Sequence, residues 1–179
     1  MNSRGVIALV GLRCVGKSSV GRELALLRGC GFIDLDLAVA WAASEGCCAE
    51  HAPTVAQLIA DHGLAAFREM EARELARVLE HDRAVIVATG GGVVERADNR
   101  ALLVTRAHCV WLREDLALLE ARLALDPHSR PPLLGVDAVA ELAELEQRRA
   151  AWYREVAATV IDGRGEDPHE IARRVDAAL

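Results

Sequence analysis

Apolar residues are distributed along the chain in two ways, as short unbroken runs and as longer stretches in which they recur every third or fourth position. The runs predict strands that are buried on both faces of a parallel sheet. They lie at 6–10, 32–33, 84–88, 109–112 and 159–161. The run at 32–33 leads into Asp34-Leu35-Asp36, which predicts a second strand that ends in carboxylates.

Helical periodicity fills the segments between these runs. Val20, Leu24 and Leu27 recur at i, i+4 and i+7 after the first strand, and Gly29 ends that helix. Further helices are predicted through Trp41, from Thr54 to Gly63, from there to Leu79, and over 96–104, 114–125, 137–156 and 168–179. The irregular segment from Ser44 to Pro53 predicts a mobile loop. Because strands and helices alternate, we predict a three-layer α/β/α fold around a parallel sheet.

The first strand runs into a loop that fits the pattern G-x-x-x-x-G-K-[ST], from Gly11 to Ser18. The pattern is typical of the P-loop, in which a tight turn aims backbone N–H groups at the phosphates of a nucleotide. A glycine-rich turn without a ligand is the alternative. The residues predicted to bind ATP here are Gly11, Leu12, Arg13, Cys14, Val15, Gly16, Lys17, Ser18 and Ser19.

Two side chains of this loop have chemistry suited to a nucleotide. Lys17, the single lysine beside 20 arginines, is predicted to reach the β and γ phosphates as a compact point charge. Ser18 is placed to ligate Mg²⁺ at the N-terminus of the following helix, where the dipole favours anions. Cys14 is either a small filler of the loop or a thiol with a lowered pKa.

Composition narrows the class of protein. With 179 residues, 52% of them hydrophobic and 27% charged, the chain is long enough for one domain, 1–179, with a real core. Its formal net charge of −6 argues against a general nucleic-acid or membrane-surface binder. No apolar run approaches the roughly 18 residues of a membrane span, and Met1 to Gly5 leave no room for a signal peptide. A cytoplasmic location is therefore expected.

The remaining chemistry collects at one edge of the predicted sheet, because ligands of such folds bind beyond the carboxyl ends of the strands. Asp34 is a candidate for the Mg²⁺ shell, and Asp36 for orienting or deprotonating an acceptor hydroxyl. Capping of the next helix is the alternative role for both carboxylates. Gly90, Gly91 and Gly92 either let a backbone approach a ligand closely or form an ordinary turn.

Three arginines are candidates for binding negative charge. Arg68 and Arg149 form a clamp for a carboxylate if they converge on one pocket, although each taken alone is typical of a solvated surface arginine. Arg130 lies in the proline-containing segment 126–132, which predicts a lid, and is either an arginine finger or an ordinary loop residue. These residues together predict a P-loop kinase that acts on a small, hydroxylated, anionic metabolite.

The order and spacing of these segments resemble those of the shikimate kinases over nearly the whole chain. The resemblance lies in residues 11–18, 32–36, 65–71, 90–92, 130–134 and 149–157. It implies a P-loop NTPase fold of the nucleoside-monophosphate-kinase type with a five-stranded parallel sheet, a small substrate-binding region at about 36–70 and a lid at about 124–137. It also implies that ATP phosphorylates the 3-hydroxyl of shikimate, giving 3-phosphoshikimate and ADP in aromatic amino-acid biosynthesis.

The resemblance also implies roles for single residues on the acceptor side. Asp34 would hold Mg²⁺ through water, and Asp36 would contact the acceptor hydroxyl. Arg68 and Arg149 would bind the carboxylate of shikimate beside the backbone of Gly90, Gly91 and Gly92. The expected partners are thus ATP and shikimate, without nucleic acid or membrane, and the expected state is a monomer.

On the nucleotide side, the resemblance implies that Lys17 and Arg130 stabilise the charge of the transition state. Arg122 and the segment at Pro168 would form the adenine site.

The chain also departs from the usual pattern of the family. Cys14 replaces a loop glycine, Leu64 replaces a glutamate, and Ala151 replaces a proline, although none of these changes removes a proposed catalytic group. Extra residues around 47–53 leave that part of the substrate-binding region open. Two other functions also stay open, namely another small-metabolite kinase, such as one resembling gluconate kinases, and a nucleotide switch without catalysis.

Overall fold

The structure, a computed structural model, describes residues 5–44, 52–80, 83–125 and 138–179, with side chains in the last range from Glu141 onward. Its strands are β1 (Val6–Val10), β2 (Gly31–Asp34), β3 (Val85–Ala88), β4 (His108–Arg113) and β5 (Thr159–Asp162). All neighbouring strands pair in parallel, in the order β2-β3-β1-β4-β5. The predicted five-stranded parallel sheet is confirmed.

Seven α-helices and one 3₁₀ turn surround the sheet in the described residues. The helices are α1 (Lys17–Arg28), α2 (Leu35–Ala43), α3 (Val55–Leu79), α4 (Ala97–Arg106), α5 (Leu116–Leu125), α6 (Ala138–Val156) and α7 (Pro168–Ala177), and the 3₁₀ turn is Val93–Glu95. The break predicted at Gly63 is confirmed, since φ 83° and ψ 158° interrupt α3 there. The 3₁₀ turn was not predicted from the sequence.

The core lies on both sides of the central strands. Every residue of β1 and β3 is buried, as expected for strands covered by helices on both faces. Helix α1 packs with α7, whereas α3, α4 and α6 pack in succession, which gives the outer layers of the predicted three-layer fold. Within the described ranges, none of the helices has the length and apolar character that crossing a lipid bilayer requires.

The register of the strands positions the functional edge of the sheet. Asp34 at the end of β2 lies beside Ala88 at the end of β3, and Ala88 in turn lies beside Leu9 of β1. Thr89 ties the loop after β3 to β1, because its hydroxyl and its N–H both donate to the carbonyl of Leu9, at 2.9 and 3.2 Å. The segments that follow β1, β2 and β3 therefore start at one level and face one cleft.

Part of the predicted substrate-binding region and most of the predicted lid lie outside the described residues. The loop predicted at 44–53 is described only at Ser44 and from Ala52 onward, so the extra residues around 47–53 fall largely outside. The lid predicted at about 124–137 is described only at Ala124 and Leu125.

Candidate active site

The loop from Gly11 to Ser18 has the backbone that the phosphate-binding pattern requires. Gly11 and Gly16 have φ of 141° and 95°, values that L side chains rarely adopt. Lys17 is buried, and its Nζ donates to the carbonyls of Gly11 and Leu12 at 2.9 and 2.7 Å, so the ammonium group lies within the turn. Cys14 also lies in the left-handed region, with φ 65°, which accounts for the glycine that the family usually has there.

Ser18 and Asp34 meet at the start of α1. The Ser18 hydroxyl donates to Oδ2 of Asp34 at 2.6 Å, while Oδ1 of Asp34 accepts from the N–H groups of Asp36 and Leu37 at 3.1 and 3.4 Å. Asp34 is thus the N-cap of α2. The helix-capping role given above as an alternative therefore applies to Asp34, which also contacts Ser18. A hydroxyl and a carboxylate at this distance are hard oxygen donors of the kind that Mg²⁺ prefers.

A cavity of about 560 Å³ opens next to the P-loop. Its polar lining includes predicted site residues, among them Arg13 of the P-loop, and two side chains that the sequence analysis did not assign to a site, Thr54 and Glu71. The predicted residues that it brings together are Asp36, Arg68, Gly90, Gly91, Gly92 and Arg149. Its apolar wall includes Leu37, Trp41, Ile59 and Phe67. A cavity with an apolar wall and convergent polar groups is typical of a site for a small molecule.

Arg68 and Arg149 converge on this cavity although they belong to α3 and α6. The side chain of Arg149 is only 4% exposed and that of Arg68 only 12% exposed, so the interpretation of each as a solvated surface arginine is wrong. Oε1 of Glu95 accepts from Nε and Nη2 of Arg149 at 3.0 and 2.5 Å, and Oε2 lies 3.2 Å from Nε of Arg68. The packing of both helices on the 3₁₀ turn brings the guanidinium groups together around this carboxylate.

Glu71 is a buried acid of the cavity that the sequence analysis did not single out. Nη1 of Arg68 donates to its Oε2 at 2.8 Å. Burial, opposed by Arg68 and reinforced by Asp36, raises the pKa of Glu71 to about 7. The i,i+3 spacing of Arg68 and Glu71 on one helix was a signal that they are neighbours, whereas Glu95 carried no comparable signal.

The three glycines are more than a turn. A Cβ at Gly90 would lie 2.5 Å from Oε1 of Glu71 and 2.8 Å from Oδ1 of Asp36, and a Cβ at Gly92 would overlap the Arg68 guanidinium. The hydroxyl of Tyr153, another residue that the sequence analysis did not assign, donates to the carbonyl of Gly91 at 2.5 Å. The bare backbone is therefore what allows three charged side chains to crowd around this segment.

The predicted adenine-site residues lie in two places. Arg122 of α5 reaches the P-loop, where its Nη1 donates to the carbonyl of Cys14 at 3.3 Å and its Nη2 donates to Glu114 at 3.3 Å. Pro168 is the first residue of α7, which Asp167 caps, and it is exposed. Arg130, the predicted arginine finger, lies outside the described residues.

Comparison with known proteins identifies the family. The family model of shikimate kinase matches residues 13–179. The chain belongs to the shikimate kinase family. Among curated shikimate kinases, that of Nitratidesulfovibrio vulgaris is 41% identical over 159 residues, 88% of this chain and 86% of the relative. That of Caulobacter vibrioides is 40% identical over 173 residues, 97% of this chain and 80% of the relative.

A solved structure extends the similarity to three dimensions. The shikimate kinase of Acinetobacter baumannii in complex with shikimate superposes with a TM-score of 0.88 at 29% identity, covering 98% of this chain and 93% of that one. The resemblance to the shikimate kinases and the P-loop NTPase fold predicted with it are therefore confirmed.

Proposed function

We propose that this member of the shikimate kinase family transfers the γ-phosphoryl group of ATP to the 3-hydroxyl of shikimate, with the acceptor in the cavity beside the P-loop. Family membership makes the chain an ATP-dependent kinase of the shikimate pathway, which leads to the aromatic amino acids. The observation that carries the placement of the acceptor is the convergence of Arg68 and Arg149 on one cavity with Asp36. Two guanidinium groups suit a carboxylate, and a single carboxylate suits a hydroxyl.

The acceptor end binds and orients shikimate in this proposal. Arg68 and Arg149 bind its carboxylate beside the backbone of Gly90, Gly91 and Gly92, where the absence of a side chain at Gly92 lets Arg68 approach. Asp36 accepts a hydrogen bond from the reacting hydroxyl. As the oxygen forms its bond to the γ-phosphorus and the bond to the leaving ADP breaks, the hydroxyl proton passes to Asp36.

The phosphate end binds ATP through the loop of residues 11–19. Its N–H groups surround the phosphates, and Lys17 exchanges its carbonyl contacts for the β and γ oxygens, where it stabilises the charge of the transition state. Arg130 adds charge from the lid, and Arg122 and Pro168 bind the adenine side. The position of Arg122 against the carbonyl of Cys14 supports this role.

Ser18 and Asp34 would hold Mg²⁺. Their oxygens lie 2.6 Å apart next to the phosphate loop, so the residues present fit this ion, with Asp34 reaching it through water. The ion supplies neutralisation of phosphate charge when it is bound. In the described residues no group of three or more His, Cys, Asp or Glu side chains could hold a metal.

The proposal also covers the domain organisation, the oligomeric state and the location of the protein. We infer one domain, 1–179, with a substrate-binding region at about 36–70 and a lid at about 124–137, working as a monomer in the cytoplasm. The single sheet and single main core found among the described residues support one domain.

The experiment that tests the proposal is a coupled assay of ADP release with Mg-ATP and with shikimate, quinate, gluconate or no acceptor. Turnover with shikimate alone is the expected result. Turnover with gluconate instead would contradict the assignment of shikimate as acceptor but not the assignment of the P-loop as the ATP site. Binding of ATP without acceptor-dependent turnover would favour the nucleotide switch.

Asp36→Asn tests the role of the acceptor carboxylate. An amide cannot take the proton, so turnover should fall by at least ~10² while the affinity for ATP stays close to that of the wild type. Turnover near the wild-type rate would exclude Asp36 as base or essential orienting group.

A further inference from the structure

Glu95 joins the two arginines of the acceptor cavity. Its Oε1 is bound by Nε and Nη2 of Arg149, and its Oε2 lies 3.2 Å from Nε of Arg68. Both arginines line the cavity, whereas Glu95 is absent from the described residues that line it. The carboxylate thus contacts both guanidinium groups without itself being one of the described lining residues.

These contacts, together with the bond from Nη1 of Arg68 to Glu71, orient the amino groups of the arginines relative to the glycines. Nη1 of Arg149 lies 3.6 Å from the position of a Cβ at Gly91, and Nη2 of Arg68 lies where a Cβ at Gly92 would be. One amino group of each arginine is therefore directed to the segment where the acceptor carboxylate is proposed to bind. A two-point contact of this kind depends on the orientation of both guanidinium planes.

The backbone under Glu95 is fixed. Glu95 ends the 3₁₀ turn, whose residues Val93 and Val94 are fully buried. Nδ2 of Asn99 donates to the carbonyl of Val93 at 3.0 Å, and Nη1 of Arg100 donates to that of Val94 at 2.8 Å and to that of Glu95 at 3.3 Å. The carboxylate therefore projects from a rigid segment rather than from a loose surface loop.

The charge of Glu95 separates two possible roles. Burial would raise its pKa, but Arg149 and Arg68 together hold the pKa of Glu95 below its usual range, so it is ionised at neutral pH. By charge alone, a carboxylate beside two anion-binding arginines weakens the binding of a second carboxylate. An orienting role strengthens the binding of the acceptor instead, because arginines that are already fixed lose less conformational freedom when the acceptor binds.

We propose that Glu95 is a positioning residue that locks Arg68 and Arg149 into one receptor for the carboxylate of the acceptor. The inference deepens the proposed function and rests on it. The orienting effect outweighs the charge effect because both guanidinium groups are buried and already paired with Glu95.

Glu95→Gln tests the proposal, since the amide keeps the size of the side chain but removes the negative charge that pairs with both arginines. Titration calorimetry should show a shikimate Kd about tenfold higher than that of the wild type, within the range for charge-assisted hydrogen bonds. The shikimate KM should rise in parallel, whereas kcat and the ATP KM should stay within about twofold. An unchanged or lower shikimate Kd would overturn the proposal.

A ligand without the carboxylate charge separates positioning from general damage. The methyl ester of shikimate should bind weakly and with the same Kd in the wild type and in Glu95→Gln, since it offers the clamp no anion. An equal loss of affinity for the methyl ester and for shikimate would show that the variant disturbs the whole cavity, which contradicts the proposal. Glu69→Gln, which removes an exposed carboxylate paired with Arg96, is the matched control and should bind shikimate like the wild type.

A double-mutant cycle completes the test. If Glu95 acts through the arginines, Glu95→Gln should change the shikimate Kd less than about twofold in an Arg149→Ala background, whereas full additivity would overturn the proposal. Glu95→Asp replaces Glu95→Gln in the same cycle if the latter folds poorly. Wild-type protein without shikimate-dependent ADP release would refute the proposed function, whereas an active wild type with an unaffected Glu95→Gln refutes this inference alone.

Discussion

The phosphate end of the site comes from one short stretch of chain, whereas the acceptor end is assembled from side chains of several elements. Residues 11–18 are consecutive in the chain, and Lys17 is held by carbonyls five and six residues away. At the acceptor end, Glu95 binds an arginine 54 residues away, and the glycine run is fixed by Tyr153, 62 residues away. The first end therefore depends on backbone geometry, and the second depends on ion pairs that α3 and α6 make with the 3₁₀ turn.

This difference predicts how each end responds to substitution. A local loop tolerates changes that keep its dihedral angles and its buried ammonium group. A network of buried charges responds to any change of charge, because each removal leaves a partner without its counter-ion.

The strongest test of the phosphate end is Lys17→Met, which removes the cation from within the loop. We expect kcat to fall by about 10³, the lower end of the effect of charge stabilisation in phosphoryl transfer. Lys17→Arg should be almost as inactive, because a planar fork does not fit a buried point-charge position bound by two carbonyls. ADP release under single-turnover conditions measures both variants, and wild-type activity of Lys17→Arg would contradict the argument from shape.

At the acceptor end, Glu71→Gln tests the charge network through stability. The folded-state pKa of about 7 lies above the ordinary value of 4.5, so the folded protein holds a proton that the unfolded chain releases. The wild type should therefore lose stability as the pH rises from about 4.5 to 7, by roughly 3 kcal/mol at about 1.4 kcal/mol per pKa unit. Burial is the main cause of the raised pKa; Arg68 lowers it, and Asp36 and Glu95 raise it further.

Urea denaturation at pH 5 and at pH 8 measures the effect. Glu71→Gln cannot ionise and should lack this loss of stability, whereas Glu69→Gln, which changes an exposed carboxylate of the same helix, should behave like the wild type. Equal pH dependence of stability in Glu71→Gln and the wild type would show that Glu71 is charged at both pH values. It would also weaken the conclusion that the acceptor end, unlike the phosphate end, depends on a network of buried charges.

Arg149→Ala tests whether the acceptor end binds one substrate only. Loss of a charge-assisted contact of about 1.5–3 kcal/mol should raise the shikimate KM by about 10- to 100-fold and leave the ATP KM within about twofold. Arg148→Ala removes the neighbouring arginine of α6, which pairs with Glu144 at the surface, and should have neither effect. An equal rise of both KM values in Arg149→Ala would mean that the two ends are not separate.

The same contrast explains how much could be predicted from the sequence. The sheet, the loop and the break at Gly63 follow from local pattern, and all three are confirmed. The convergence of Arg68 and Arg149 was one of two interpretations, because average exposure favours the surface for any arginine. The role of Glu95 could not be predicted, because its partners Arg68 and Arg149 lie on α3 and α6, and no spacing in the sequence connects them to it.

Cys14 offers the smallest but sharpest test of the phosphate end, because here the backbone alone is changed. At φ 65° a residue with a Cβ is strained, whereas glycine is not. Cys14→Gly and Cys14→Ala both remove the thiol, so their difference isolates the dihedral angle, and glycine should be more stable by about 1 kcal/mol even after its larger loss of chain entropy. Thermal unfolding of the two variants measures this difference. Equal stability would mean that the loop relaxes around a side chain at this position. The backbone dihedral angles of the loop would then be less strictly required than the glycines at 11 and 16 indicate.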